Sequence, residues 1–194
     1  MSVWDDLKLK HSGAIEALQN IVPDYSYSEE HDGDLTDDRL RDYMLQKLRK
    51  IKEDLFHIIA FLFETQAEHI DTVFPKLRDE ADLLGDEVKI DYFKWRVFPP
   101  RLMELLVMHD FDLVRGLDNL QDILDKISES VLGFKRVDHK VFDVSKIRKK
   151  AAEAEKLLRS ILITYKEREA IFTIEETDIE KAYERIRKEI AGKF

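Results

Sequence analysis

The chain has 194 residues, 44% hydrophobic and 38% charged, with a formal net charge of −9. That length suits one domain with a sizeable core, and that mixture excludes a disordered chain. Bases are interspersed with acids rather than gathered on one face, which argues against a nucleic-acid binder, and the lack of cysteine excludes disulfides, thiolate zinc sites and iron–sulfur clusters.

The first helix is predicted over residues 1–22, carrying Trp4, Leu7, Ile15, Leu18 and Ile21 and ending at Pro23. Its opening, "MSVWDDLKLKH", has no apolar export core, so a cytoplasmic location is the expectation. Residues 23–37, "PDYSYSEEHDGDLTD", are acidic and carry Gly and Ser, which predicts a surface loop. A long helix then begins near Thr36–Asp38, with core positions at Met44, Leu48, Ile51, Leu55, Ile59, Leu62, Gln66, Ile70 and Val73 recurring at three and four. Its greasiest run, "FHIIAFLF" (56–63), is far shorter than the roughly 20 residues a bilayer needs, so no membrane span is expected.

Pro75 is expected to kink or break that helix. The next segment turns Leu77, Ala81, Leu84, Val88 and Trp95 to one side and stops at "FPP" (98–100). From Arg101 a further helix runs to Gly133, a suitable C-terminal cap, with a stripe of Leu102, Leu106, Leu113, Leu117, Leu120, Leu124, Ile127 and Val131. The C-terminal helices fall within 143–194, the last opening on the capping box "TDIE" (177–180) and closing before Gly192. "KIRKK" (146–150) is followed by "EAEK" and reads as a solvated turn. "IFTI" (171–174) reads as a loop packed on the bundle. The whole is an all-α antiparallel bundle of five to six helices in a single domain. Two Asn and four Gln in such a charged chain suit a thermophile.

At about 100° per residue, Asp118, Asp122, Asp125 and Glu129 share one narrow arc, as do Asp79, Asp82 and Asp86. Both arcs lie opposite the apolar stripe, as a solvated face does. Neighbouring helices displaying outward carboxylates could nonetheless hold a hard cation. Asp82, Asp86, Asp118, Asp122 and Asp125 are therefore the candidate metal ligands, for iron or zinc if any ion is bound. His11, His57, His69 and His109 are spread over three predicted helices, and "HIDTVFP" (69–75) and "YKEREAIF" (165–172) resemble helix ends of the diiron hemerythrin bundles. That pattern departs at Val73, where a ligand Glu is needed, and at Thr164 and Tyr165, where a His is needed. His109 lies on the leucine face and reads as a hydrogen-bonded core residue. No nucleophile elbow, phosphate-binding glycine loop or zinc-protease motif is present, so a catalytic role is not expected.

The succession "LRDEADLLGDEV" (77–88), "RVFPP" (96–100) and "LDNLQDILDKISE" (117–129) resembles the PhoU-related phosphate transport regulators. The resemblance covers Leu48 to about Phe134 and implies a three-helix unit over 38–134, with additional helices outside it. It also implies a non-catalytic regulatory role by protein–protein contact, with a phosphate transporter as partner. That family places outward iron or zinc clusters where an acid stands four residues before an Asp on adjacent helices. The Asp positions are kept as Asp82 and Asp125, but Arg78 and Gln121 replace the acids before them. Arg78 is thus expected to bridge to Asp125 across a wall shared by the two helices. An unrelated helical scaffold and a carboxylate/histidine metal bundle are the other readings. A homodimer through Phe61 and Phe93, which point away from the main stripes, is a further expectation.

Overall fold

The computed structural model describes residues 13–27, 30–64, 73–93, 98–135, 144–175 and 179–193. Six helices make up most of them, and no strand occurs among the described residues. They are α1 (13–19), α2 (Glu30–Glu64), α3 (Val73–Val88), α4 (Pro100–Lys135), α5 (Val144–Ile171) and α6 (Ile179–Ala191).

Each long helix forms where apolar residues return every three or four positions and bury one stripe. In α2 the stripe is Leu40, Met44, Leu48, Ile51, Leu55, Ile58 and Leu62, and in α3 it is Phe74, Leu77, Ala81, Leu84 and Val88. All eight leucine-stripe positions expected in α4 are buried, joined by Ile147, Ala151, Ala154, Leu158, Ile161 and Tyr165 of α5. In α6 Ala182 is buried, while Ile179, Tyr183 and Ile186 lean half-buried on the same core. Phe172 and Ile174 pack on the bundle from the turn after α5, as expected of that segment.

Several boundaries differ from the expectation. α2 starts at Glu30, so much of the acidic stretch 23–37 is helix rather than surface loop, and Tyr25, Tyr27, Thr36 and Asp37 are buried. The turn before it is pinned to the helix because Thr36 Oγ1 accepts from the Ser26 amide (3.0 Å) and donates to the Ser26 carbonyl (2.8 Å). α2 is described to Glu64, and Pro75 sits in the first turn of α3, where its missing N–H costs no intrahelical bond. α4 passes through Gly133 and is described to Lys135. Trp4, Leu7, Gln66, Ile70 and Trp95 lie outside the described residues, as do His11 and His69.

The packing order is the main departure. α2 packs on α3 and α4, and α5 packs on α4 and α3, whereas α3 and α4 share no packed face. Going round the bundle the order is therefore α2, α3, α5, α4, with α3 and α4 on a diagonal. α2 and α3 run antiparallel, with Lys52 meeting Asp82 and Leu48 lying against Gly85. α4 and α5 are likewise antiparallel, Arg168 meeting Asp110 near one end and Lys150 reaching the Lys126 carbonyl (3.3 Å) toward the other. The other two neighbouring pairs run parallel: Tyr43 meets Asp118 and Asp54 meets Gln121, while Lys76 meets Glu155 and Lys166 meets Glu87. From α2 to α5, helices consecutive in the chain run antiparallel, as expected of the all-α bundle, and the two remaining seams are parallel. The stretch 38–134 is not a closed three-helix unit, because α5 completes the core.

Candidate functional site

The densest chemistry lies where α2 and α4 begin and α5 ends. Arg168, 2% exposed, is reached from three parts of the chain. Its guanidinium donates through Nη2 to Asp37 Oδ1 (2.5 Å) and to the Tyr27 hydroxyl (3.0 Å), and through Nε to Asp110 Oδ1. The Tyr25 and Tyr27 hydroxyls both donate to Asp110 Oδ2, at 2.7 and 3.0 Å. Asp37 Oδ2 in turn accepts from Arg41 Nε at 2.9 Å, and the Phe172 ring lies beneath the Arg168 guanidinium. Phe93 packs on Tyr27 and Phe172, and Phe98 on Phe172, sealing this end from the side of the α3–α4 connection.

The charges balance: Arg168 and Arg41 face Asp37 and Asp110. Burial opposes the Arg168 charge, but Asp110, Tyr27 and Asp37 outweigh it and hold the guanidinium well above its ordinary value. Burial pushes the Asp110 carboxyl up, while Arg168 and the two tyrosine hydroxyls pull it back toward the ionised form. With three donors on its two oxygens, the ionised state is the one this geometry holds. Burial, with Asp110 next in size, keeps both tyrosine phenols well above their usual range. Every polar atom named here has a partner, so the cluster leaves no free nucleophile, base or ligand. It acts as a knot that ties residues 25–37 to α4 and α5. Sequence reasoning missed it, although one signal was present: Asp110 and Arg168 occupy apolar-arc positions of their helices, where an unpaired charge would not be tolerated.

The five candidate metal ligands are not brought together. Asp82 and Asp86 lie on α3 and the other three on α4, the diagonal pair. Asp82 is paired with Lys52, Asp86 with Lys89 (2.8 Å) and Asp118 with Lys47 (2.6 Å). Tyr43 also donates to Asp118 at 2.8 Å. Among the described residues, no three His, Asp or Glu side chains are placed to hold one ion. The expected bridge from Arg78 to Asp125 is absent, since Arg78 turns to Asp79 at 3.2 Å. Gln121 instead spans α2 and α4: its Nε2 donates to Asp54 (2.6 Å) and Asp125 (2.8 Å), leaving its buried Oε1 without a partner. Asp82 therefore meets α2 on the α3 side and Asp125 meets it on the α4 side. The shared wall that the family likeness implied is not formed.

His57 is exposed on α2 and lies against Phe56. His109 is a buried, hydrogen-bonded core residue, as expected, with Nε2 at 2.6 Å from the Tyr183 hydroxyl of α6. Tyr165, expected at a would-be ligand position, is buried and donates to the Glu87 carbonyl at 3.4 Å. Of the two phenylalanines expected at a dimer contact, Phe61 is buried and Phe93 packs on Tyr27 and Phe172. Phe56 and Phe63 are the exposed phenylalanines of α2. No helix is long and apolar enough to cross a membrane among the described residues. Comparison with protein-family models, with curated proteins and with solved structures finds no match to this chain.

Proposed function

We propose that the protein is a non-catalytic adaptor that works by contact with a protein partner whose docking surface is basic. The observation that carries this reading is a ridge of carboxylates that make no direct ion pair, although Lys126 and Lys156 line the groove beside Asp122. Among the described residues, no Lys or Arg forms an ion pair with Asp122, Asp125 or Glu129 of α4, although Asp82, Asp86 and Asp118 each have a lysine partner. Asp54 joins the ridge from α2 through Gln121. Carboxylates left unpaired on a chain of net charge −9 attract a cationic surface and speed its approach.

The ridge is rigid, because Gln121 is buried beneath it and its α4 flank rests on Leu120, Leu124 and Ile127. A preformed charged face loses little side-chain freedom on binding, which favours an adaptor over a folding-on-contact segment. The likeness to phosphate transport regulators now rests on sequence succession alone. A phosphate permease is accordingly one partner to try, and the reading does not require it.

The test is affinity purification of the full chain, at low salt and well above 0.15 M salt, beside the triple variant Asp122→Lys, Asp125→Lys, Glu129→Lys. The expected result is a stoichiometric protein partner with a basic contact surface, recovered by the native chain and lost with the variant and with salt. Equal recovery by the variant contradicts the proposal.

A further inference from the structure

We propose that the groove between α4 and α5 is a self-complementary face on which a second copy of this chain docks, turned end for end. The groove holds about 460 Å³ and has a half-buried apolar floor, Ile123 of α4 and Leu157 of α5. Its rims are charged and exposed: Asp122 and Lys126 stand on α4, Glu153 and Lys156 on α5. Among the described residues, none of these four side chains forms an ion pair.

The order of the charges carries the argument. α4 and α5 are antiparallel, with Gly116 opposite Ile161 and the Lys126 carbonyl opposite Lys150. Asp122 therefore stands level with Lys156 and Lys126 level with Glu153, so signs alternate along each rim and across the groove. Such an alternating square is its own complement. When a copy is turned end for end about an axis crossing the groove, α4 lies along α4 of the copy and α5 along its α5. Asp122 then faces Lys126 of the copy and Glu153 faces its Lys156, and the two-fold axis repeats both contacts. Ile123 and Leu157 of the two copies meet at the centre, ringed by those pairs as an apolar interface core is ringed by its polar rim. A partner whose surface carries one sign of charge would set half of the rim against its own sign, which is repulsive.

The position of α6 selects the orientation. Tyr183 and Arg187 meet His109 and Glu167, so α6 crosses α5 beyond the end of the groove that holds Asn119 and Ser160. A copy docked in parallel would bring its own α4 and α5 against that crossing helix. Turned end for end, each copy presents the half of α4 and α5 that α6 leaves clear. Exposed ion pairs each contribute little, so the charges set the register while the apolar floor supplies the attraction. The contact goes beyond the docking ridge, because Asp125 and Glu129 lie outside the groove and only Asp122 is shared.

The test is the mass of the full chain in solution, by sedimentation equilibrium from about 1 μM to about 1 mM, where weak dimers form and dissociate. The native chain is expected to rise from 23.0 kDa to twice that mass, at lower concentration in low salt than in high. Lys126→Glu with Lys156→Glu makes the whole rim acidic, and Asp122→Lys with Glu153→Lys makes it basic. Each double variant alone is expected to keep the single-chain mass, since like charges then face each other. An equimolar mixture of the two is expected to regain the doubled mass, because an acidic rim then faces a basic one. A native chain of single mass throughout overturns the proposal in favour of a different occupant. Growth beyond two copies overturns it, as does a mixture that stays at single mass or a double variant that dimerises alone as readily as the native chain. None of these outcomes involves the basic partner of the ridge, so the two readings fail separately.

Discussion

Arg168 shows what a single residue decides here. Its guanidinium is the common partner of Asp37 and Asp110, so truncation leaves Asp110 buried with no cation and Asp37 with Arg41 alone. Removing one partner of a buried ion pair costs about 3–5 kcal/mol, and Arg168→Ala is expected to fall in that range or above it. Arg168→Lys keeps the charge but loses the planar fork that serves two acids and Tyr27, and is expected to recover only part of the loss. Denaturant unfolding of the three proteins under one buffer measures both. An Arg168→Ala variant within 1 kcal/mol of the native chain would mean that the knot is not formed. At this scale the sequence was only half legible. Asp110 and Arg168 break the apolar arcs of their helices, which marks them as paired, but Asp37 and Arg168 are separated by 131 positions, and nothing local says that they meet.

At the scale of the element, helix existence followed from periodicity, and the stripes of α3 and α4 were legible nearly residue by residue. The misses were at ends. The start of α2 was hidden because acids, a glycine and serines read as loop, whereas Thr36 and Asp37 find buried partners that only the folded chain supplies. Helix spacing leaves two contrasting glycines as a check. A Cβ at Gly116 of α4 would stand 2.8 Å from Ile161 Cγ1 of α5, so there the two helices approach as closely as their side chains allow. At Gly85 of α3 the nearest neighbour is Leu48 Cδ1 at 4.0 Å, an ordinary contact. Gly85→Ala is therefore expected to stabilise by up to about 1 kcal/mol through helix propensity. Gly116→Ala gains the same propensity against an overpacking cost of about 1–3 kcal/mol and is expected to destabilise. Thermal melts of the two variants should move in opposite directions, and a shift of Gly116→Ala to higher temperature would disprove the tight α4–α5 crossing.

For the whole molecule, the order of helices around the core governs what any surface can do. Apolar periodicity fixes which face of a helix is buried but leaves open which helix covers it, so the expected adjacency of α3 and α4 had no physical support within the sequence. With α3 and α4 on a diagonal, Asp82 and Asp125 lie on different sides of α2, and the acids of α4 meet Gln121 and Asp54 rather than the acids of α3. The carboxylate ridge proposed for docking exists only in that arrangement. Since the chain has no cysteine, engineered pairs report on it without background. The deciding measurement is cross-linking by a short bis-maleimide of two double variants, Lys47→Cys with Asp118→Cys and Asp82→Cys with Asp125→Cys. Rapid intramolecular linking of the first pair and none of the second is the predicted result. Linking of the second pair in preference to the first would contradict the arrangement and remove the ridge.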